Sequence, residues 1–284
     1  MKITGLNISG AVRIESEKPG ANLLVFGAVH GDEPCGALAI RRLLFELTTS
    51  NLPLKSGTLT LVIANEKGLV ENKRYLSKNL NRLFRDDITY ENGYECDRAH
   101  ELKPLIKKAD FFLDIHSTSR PTKPFLFAEK QVLAEAQKLN IEHIVVGWNT
   151  LTGVDLGGDT ESFGNQHNVP SLTLECGQSQ AMTTWEIAYQ SLLQFCAVHQ
   201  FIEHEISSQI TPKLYHLFDV VKLNSKQFNY VYPWENLTPL KNDQLIGKDE
   251  NQAYRAPRDC TLIMPGTPEN TAIGEEIYFL ADPA

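Results

Sequence analysis

The feature that most constrains this chain is an alternation. Through roughly its first two hundred residues, short apolar runs rich in β-formers are separated by segments whose apolar residues recur every three or four positions. The runs are LLVFGAVH (23–30), TLTLVIAN (58–65), DFFLDIHS (110–117), HIVVGW (143–148) and PSLTLECG (170–177). The helix-patterned segments are 35–49, 95–109, 129–140 and 183–205. Strands that alternate with helices pair mostly in parallel, because a helical crossover returns the chain to the starting end of the sheet. Several runs are apolar on both faces, as a strand lying between two helical layers must be. The expected fold is therefore α/β, a mostly parallel or mixed sheet flanked by helices.

After about residue 210 the texture changes. LYHLFDVVKL, DCTLIMPG and EIYFLA are strand-like runs separated by Pro, Gly and Asn turns, with no helical pattern between them. This predicts an α/β domain over residues 1–210 and a small β domain over 211–284, with the boundary near Thr211 and Pro212. A β unit of about 70 residues is marginal alone, so it is expected to pack on the larger domain, where it can cap an active site.

Composition removes several classes of function. The formal charge is −8, from 27 basic and 35 acidic residues spread along the chain, so no basic face offers itself to nucleic acid. No segment approaches the roughly 20 consecutive apolar residues that span a bilayer, and MKITGLNISG has no signal-like core. Cys35, Cys96, Cys176, Cys196 and Cys260 form an odd set without a C-x-x-C pair. They read as small buried hydrophobes in a reducing compartment. A soluble cytoplasmic protein is expected, with no membrane partner, and association with further copies of itself stays open.

In an open α/β sheet ligands bind beyond the carboxyl ends of the strands, so the polar residues that follow each run carry the argument. In VHGDEP, His30 and Glu33 stand three apart in a Gly-containing turn that enters a helix. The third run ends in DIHS and supplies His116. Two imidazoles and one carboxylate around an open position make a catalytic zinc set, since the metal lowers the pKa of the water in that position to about 7. Eight histidines in one chain can also produce H-x-x-E by chance. Asp114, two residues before His116, is either an acceptor behind a ligand imidazole or a strand-end turn former. Glu175, at the end of LTLECG, is either a general base or a salt-bridged strand terminus. The segment KRYLSKNLNRLF holds Arg74, Asn81 and Arg82. Such a charged run is often a solvated face, but the Asn-Arg pair between Leu80 and Leu83 fits a packed anion site. Arg120, just after DIHSTS, is a further candidate for substrate contact.

In this order and at these separations, VHGDEP, NKRYLSKNLNRLF, DIHSTS and LECGQ resemble the succinylglutamate desuccinylase/aspartoacylase family, a branch of the zinc carboxypeptidase-like superfamily. The likeness covers residues 22–180 or so. It implies a carboxypeptidase-like sheet and one Zn2+ held by His30, Glu33 and His116. It further implies Glu175 as general base, Arg74 as polariser of the scissile carbonyl, and Asn81 and Arg82 as holders of the substrate carboxylate. Tyr254 in NQAYRAP looks like the family's C-terminal substrate-binding tyrosine. The chain departs from the family at two places: Asn165 stands where aspartoacylases carry an arginine for a second substrate carboxylate, and Asn79 replaces the usual aspartate two residues before the Asn-Arg pair.

The activity implied is removal of the acyl group from a small anionic N-acyl amino acid. A metallocarboxypeptidase-like peptidase and a non-catalytic zinc or ligand-binding module are the alternatives. The chain has no G-x-S-x-G elbow and no G-x-x-x-x-G-K-[ST] loop, which disfavours serine-hydrolase and P-loop chemistry.

Overall fold

A computed structural model of the chain describes residues 1–49, 52–87, 92–151, 157–206 and 210–282. The strands are β1 (Lys2–Gly5), β2 (Ala11–Glu15), β3 (Asn22–Gly27), β4 (Thr58–Ile63), β5 (Phe111–Thr118), β6 (Phe125–Phe127), β7 (His143–Val146) and β8 (Ser171–Gln178). Beyond residue 212 follow β9 (Lys213–Lys222), β10 (Asn229–Tyr230), β11 (Thr238–Leu240), β12 (Leu245–Lys248), β13 (Ala253–Arg255), β14 (Cys260–Ile263) and β15 (Glu276–Asp282). The helices are α1 (Cys35–Thr48), α2 (Glu66–Glu71), α3 (Tyr94–Ile106), α4 (Leu133–Lys138), α5 (Thr160–Gln166) and α6 (Met182–Val198).

Among the described residues a 12-stranded sheet runs in the order β1-β2-β4-β3-β5-β8-β6-β7-β9-β15-β14-β11, and β10-β12-β13 form a small sheet of their own. The four central strands β4, β3, β5 and β8 are parallel neighbours, with antiparallel β2 on one side and antiparallel β6 on the other. β9 joins β7 in parallel, and β15, β14 and β11 follow it in antiparallel pairing. The strands beyond residue 212 therefore extend one edge of the main sheet, and the small sheet packs beside them.

The doubly apolar runs have a direct explanation. Successive side chains of a strand point to opposite faces. Leu23 and Val25 of β3 join the core under α1 and α6 with Ile40, Leu43, Leu192 and Phe195, whereas Leu24 and Phe26 join the core under α3 and α5 with Leu102, Ile106 and Phe163. Both faces of β3 are buried against helices, which favours apolar residues on each.

The helix pattern overshoots in two places. The segment 129–140 is a 3-10 turn at Lys130–Val132 followed by the short α4, and α6 ends at Val198 rather than near 205. The cause at α6 is Gln200, whose φ of 61° is left-handed, so that the Phe201 amide turns back to donate to the Cys196 carbonyl at 2.8 Å. A glutamine carries no signal for that turn. All five cysteines are buried and free, and no helix among the described residues is long and apolar enough to cross a membrane.

Candidate active site

Three parallel strands end side by side and deliver the reactive groups. After β3 the chain makes a tight turn, closed by the Glu33 amide donating to the His30 carbonyl at 3.2 Å, and then enters α1. Gly31 permits this course, since a Cβ there would lie 2.0 Å from the carbonyl carbon of Gly68 in α2. The turn is thus pressed onto neighbouring backbone, and its amide at Gly31 donates to the carbonyl of Arg74 at 3.2 Å.

This geometry sets His30 Nδ1 2.8 Å from Glu33 Oε1, while His116 Nδ1 from β5 lies 2.9 Å from Glu33 Oε2. All three side chains are buried, and one ligand atom from each lies within 4.8 Å of the others. The outer nitrogens are backed by oxygens. Asn79 Oδ1 is 3.1 Å from His30 Nε2, and Asp114 Oδ2 is 2.9 Å from His116 Nε2 in a contact not aligned as a hydrogen bond. Two imidazoles with inward Nδ1, outward Nε2 facing an oxygen, and a carboxylate between them suit a divalent zinc-type ion. The donor set therefore fits the metal that the sequence implies. Asp114 is fully buried and also accepts from the Thr160 hydroxyl.

The charges of the three groups are strongly shifted. Burial, followed by the positive field of Arg74, lowers His30 to about 4, so its ring is neutral near pH 7 and free to coordinate. Burial opposes ionisation of Glu33, but the adjacent His30 and His116 outweigh it and hold the carboxyl well below its usual range. Burial likewise works against a charged His116, and there Asp114 and Glu33 prevail and hold it well above the ordinary histidine range.

Glu175 sits in register with His116 on the adjacent strand β8. It is buried, and its Oε2 has no hydrogen-bond partner among the described residues. Burial, reinforced by the negative Glu33, pushes its pKa up to about 8. Cys176 is buried as well, next along β8 and so on the opposite face, where it belongs to the core under α1 and α6.

A cavity of about 410 Å³ opens over this cluster. Glu175, Arg74, Asn81, Arg82 and Arg120 line it together with the three metal-site residues. Arg74 Nη1 is 2.9 Å from Glu33 Oε1, with its guanidinium half-exposed to the cavity. Asn81 Oδ1 accepts from the Thr160 amide at 3.0 Å. Arg82 Nη2 lies 3.3 Å from Glu276 Oε2 of β15, and its Nη1 donates to the Asn81 carbonyl at 2.9 Å. Arg120 lies 5.1 Å from the centre of the Tyr230 ring. The loop between β14 and β15 supplies Met264, Thr267 and Thr271 to the opposite wall.

One expected substrate residue is not brought to this cavity. Tyr254 is not among the residues lining the cavity. It belongs to β13 of the small sheet, donates its hydroxyl to Asp249 Oδ2 at 2.7 Å and packs its ring 5.2 Å from Phe228. Hairpin pairing with β12 fixes it there, because Tyr254 stands opposite Gly247. In this structure its contacts lie within the β unit.

Other groups were invisible to sequence reasoning. Asn79, read only as a departure from a family pattern, backs His30. Glu276 reaches Arg82 across 194 positions of chain. Asp159 and Glu161 line the cavity from the start of α5, a helix the pattern did not reveal. The available signal was Asp159 itself, an N-cap whose Oδ1 accepts from the Ser162 amide at 2.7 Å.

Known proteins resemble this chain in sequence and in fold. Residues 19–198 match the succinylglutamate desuccinylase/aspartoacylase catalytic domain. Over 279 residues the chain is 22% identical to the succinylglutamate desuccinylase of Vibrio vulnificus (strain YJ016), covering 89% of this chain and 78% of that protein. It is 32% identical over 125 residues to the rat N-acyl-aromatic-L-amino acid amidohydrolase (carboxylate-forming), a stretch that spans 40% of this chain and 39% of the rat enzyme. The crystal structure of the Vibrio parahaemolyticus succinylglutamate desuccinylase superposes with a TM-score of 0.78 at 18% identity, covering 99% of this chain and 90% of that one, a likeness of fold.

Proposed function

Because the chain belongs to the succinylglutamate desuccinylase/aspartoacylase family, an enzyme family of amidohydrolases, we propose that it is a zinc-dependent amidohydrolase that removes the acyl group from a small N-acyl amino acid. The single observation that supports this most is the convergence of His30, Glu33 and His116 beside the unengaged carboxylate oxygen of Glu175. One zinc ion held by His30, Glu33 and His116 would supply Lewis acidity and a water acidified toward neutral pH.

The remaining work falls to side chains. Glu175 takes the proton of the attacking water and passes it to the departing amine nitrogen, a role suited to a carboxyl whose pKa burial has raised. Arg74 presents its guanidinium to the oxygen that becomes negative as the carbonyl carbon turns tetrahedral. Asn81 and Arg82 orient the substrate by its free carboxylate, which takes over the Arg82 contact that Glu276 makes in the free protein. Residues 211–284 act as a unit that walls the cavity and holds it to small substrates.

The test pairs metal analysis with turnover. The purified protein should carry one zinc per chain and hydrolyse members of an N-acyl amino acid panel, and Glu175→Gln should keep the zinc and lose turnover. Wild-type rates in Glu175→Gln would refute the base assignment. One tightly bound zinc without hydrolysis of any N-acyl amino acid would refute the deacylase reading.

A further inference from the structure

The cavity wall carries more acids than the candidate metal site and base require. Seven carboxylates line it against three guanidinium groups, and lysine is absent from its lining among the described residues. Two of the guanidiniums are already engaged, Arg74 with Glu33 and Arg82 with Glu276. Asn165, at the position where the resemblance would place an arginine for a second carboxylate, does not line the cavity. Its Oδ1 accepts from the Ser171 amide at 3.1 Å and its Nδ2 donates to the Ser171 carbonyl at 3.2 Å. One turn earlier, the same helix presents Glu161 to the cavity instead.

Glu161 sits in an unusual setting. It is buried, 4% exposed, and apart from burial itself the charges acting on it most strongly are the carboxylates of Asp159, Glu129 and Asp114. Together they hold its carboxyl well above the usual range. Glu161 Oε1 accepts from the Asn165 side-chain amide at 3.3 Å, and the charges acting on it most strongly include no cation. A buried carboxyl surrounded by like charges is costly to ionise, and a positive charge arriving beside it relieves that cost.

Aromatic rings complete the pocket. Phe127 pairs with Thr173, which precedes Glu175 by two residues on β8 and so lies roughly 7 Å deeper along the strand. The Trp148 ring centre is 5.2 Å from that of Phe127 and 5.1 Å from that of Phe279, and its indole N–H donates to Asp159 Oδ2 at 3.2 Å. Aromatic faces beside carboxylates attract cations both through the ring quadrupole and by direct charge. The Arg82 guanidinium, 5.9 Å from the Trp148 ring centre, marks the carboxylate-binding side of that wall.

We propose that the deep end of the cavity, formed by Asp159, Glu161, Phe127, Trp148 and Phe279, selects N-acyl amino acids whose side chain ends in an ammonium or guanidinium group. This rests on the deacylase reading and names its substrate class. The α-carboxylate meets Asn81 and Arg82, the amide lies over the metal ligands, and the side-chain cation reaches Glu161. The roughly 7 Å from Glu175 back to Thr173, opposite Phe127, is covered by an extended side chain of roughly three or four methylene groups.

The zinc-loaded full chain is tested with Nα-acetyl and Nα-succinyl derivatives of L-ornithine, L-lysine, L-norleucine, L-glutamate and L-phenylalanine. The ornithine or lysine derivative should exceed the norleucine derivative at least tenfold in kcat/KM and the glutamate derivative by more. Glu161→Gln should lower the ratio of cationic to norleucine turnover at least tenfold. A second measurement does not depend on that buried variant: calorimetric binding of the same compounds to zinc-loaded Glu175→Gln protein, where the cationic derivatives should bind at least tenfold more tightly than norleucine. Preference for the glutamate or phenylalanine derivative, or a ratio unmoved by Glu161→Gln, overturns this inference and leaves the deacylase reading standing. Selective binding of the cationic derivatives without hydrolysis of any compound overturns the deacylase reading and supports the pocket. Neither binding nor hydrolysis overturns both.

Discussion

Replacing Glu175 with glutamine should stabilise the zinc-free protein, and by an amount that grows with pH. Burial and then the negative charge of Glu33 push the Glu175 carboxyl from its ordinary 4.5 up to about 8. A carboxyl raised in this way keeps its proton in the folded chain while the unfolded chain releases it. The contribution to stability is full below about pH 4.5 and declines as pH rises toward 8, above which the folded form ionises too. Each pH unit inside that window costs about 1.4 kcal/mol, so the wild-type chain loses about 3 kcal/mol from this group between pH 4.5 and 7. Glutamine has nearly the same shape and stays neutral, so the variant avoids the loss. The titrations of Glu33 and His116 occur in both proteins and largely cancel in the comparison. At roughly 2–4 °C per kcal/mol for chains somewhat shorter than this one, the gap in melting temperature should widen by several degrees. Scanning calorimetry of chelator-treated wild type and Glu175→Gln at pH 5, 6, 7 and 8 measures it directly. Restoring zinc should narrow the gap, because a divalent charge beside Glu175 favours its ionised form. A gap that stays flat across this range would show that the carboxylate is not buried as described.

Three further outcomes follow from the site. Arg74→Ala should retain zinc and lose about 10²–10³ in kcat, the usual cost of one oxyanion donor; a change confined to KM would make Arg74 a binding group only. Glu276→Gln should free Arg82 from a partly exposed ion pair of about 0–1 kcal/mol and so lower KM up to about fivefold, read from initial rates, whereas a raised KM would show that Glu276 supports Arg82 instead of competing for it. Gly31→Ala forces a Cβ to within 2.0 Å of the Gly68 backbone, so it should cost about 1–3 kcal/mol or more in chemical denaturation and weaken zinc binding in a competition titration, and wild-type values in both would refute the packing described for the metal-bearing turn.

Part of the site was legible because its residues are tied to local structure. His30 and Glu33 share one turn, His116 and Asp114 share one strand face two residues apart, and Glu175 ends a hydrophobic strand. The strand runs themselves announced where those ends would fall. The place of Tyr254 was not legible, because a tyrosine near an arginine in a β-rich segment looks the same whether its hairpin faces a cavity or packs into its own sheet. The end of α6 was missed for a similar reason: the left-handed turn is taken by Gln200, a residue with no bias toward it.

What the amino-acid order determined by itself was the alternation of buried strands with amphipathic helices, and with it the carboxyl-terminal edge where ligating and titrating side chains must gather. Periodicity and chain polarity suffice for that, since both are local. Only tertiary structure decided which oxygen backs each imidazole, that Glu276 would meet Arg82, and that Asp159 and Glu161 would form an acidic floor next to Trp148. Those contacts join segments far apart in the chain. They exist because the sheet stacks its strands in an order different from their order in sequence, and the energies that matter there, desolvation and charge proximity, depend on distances in space.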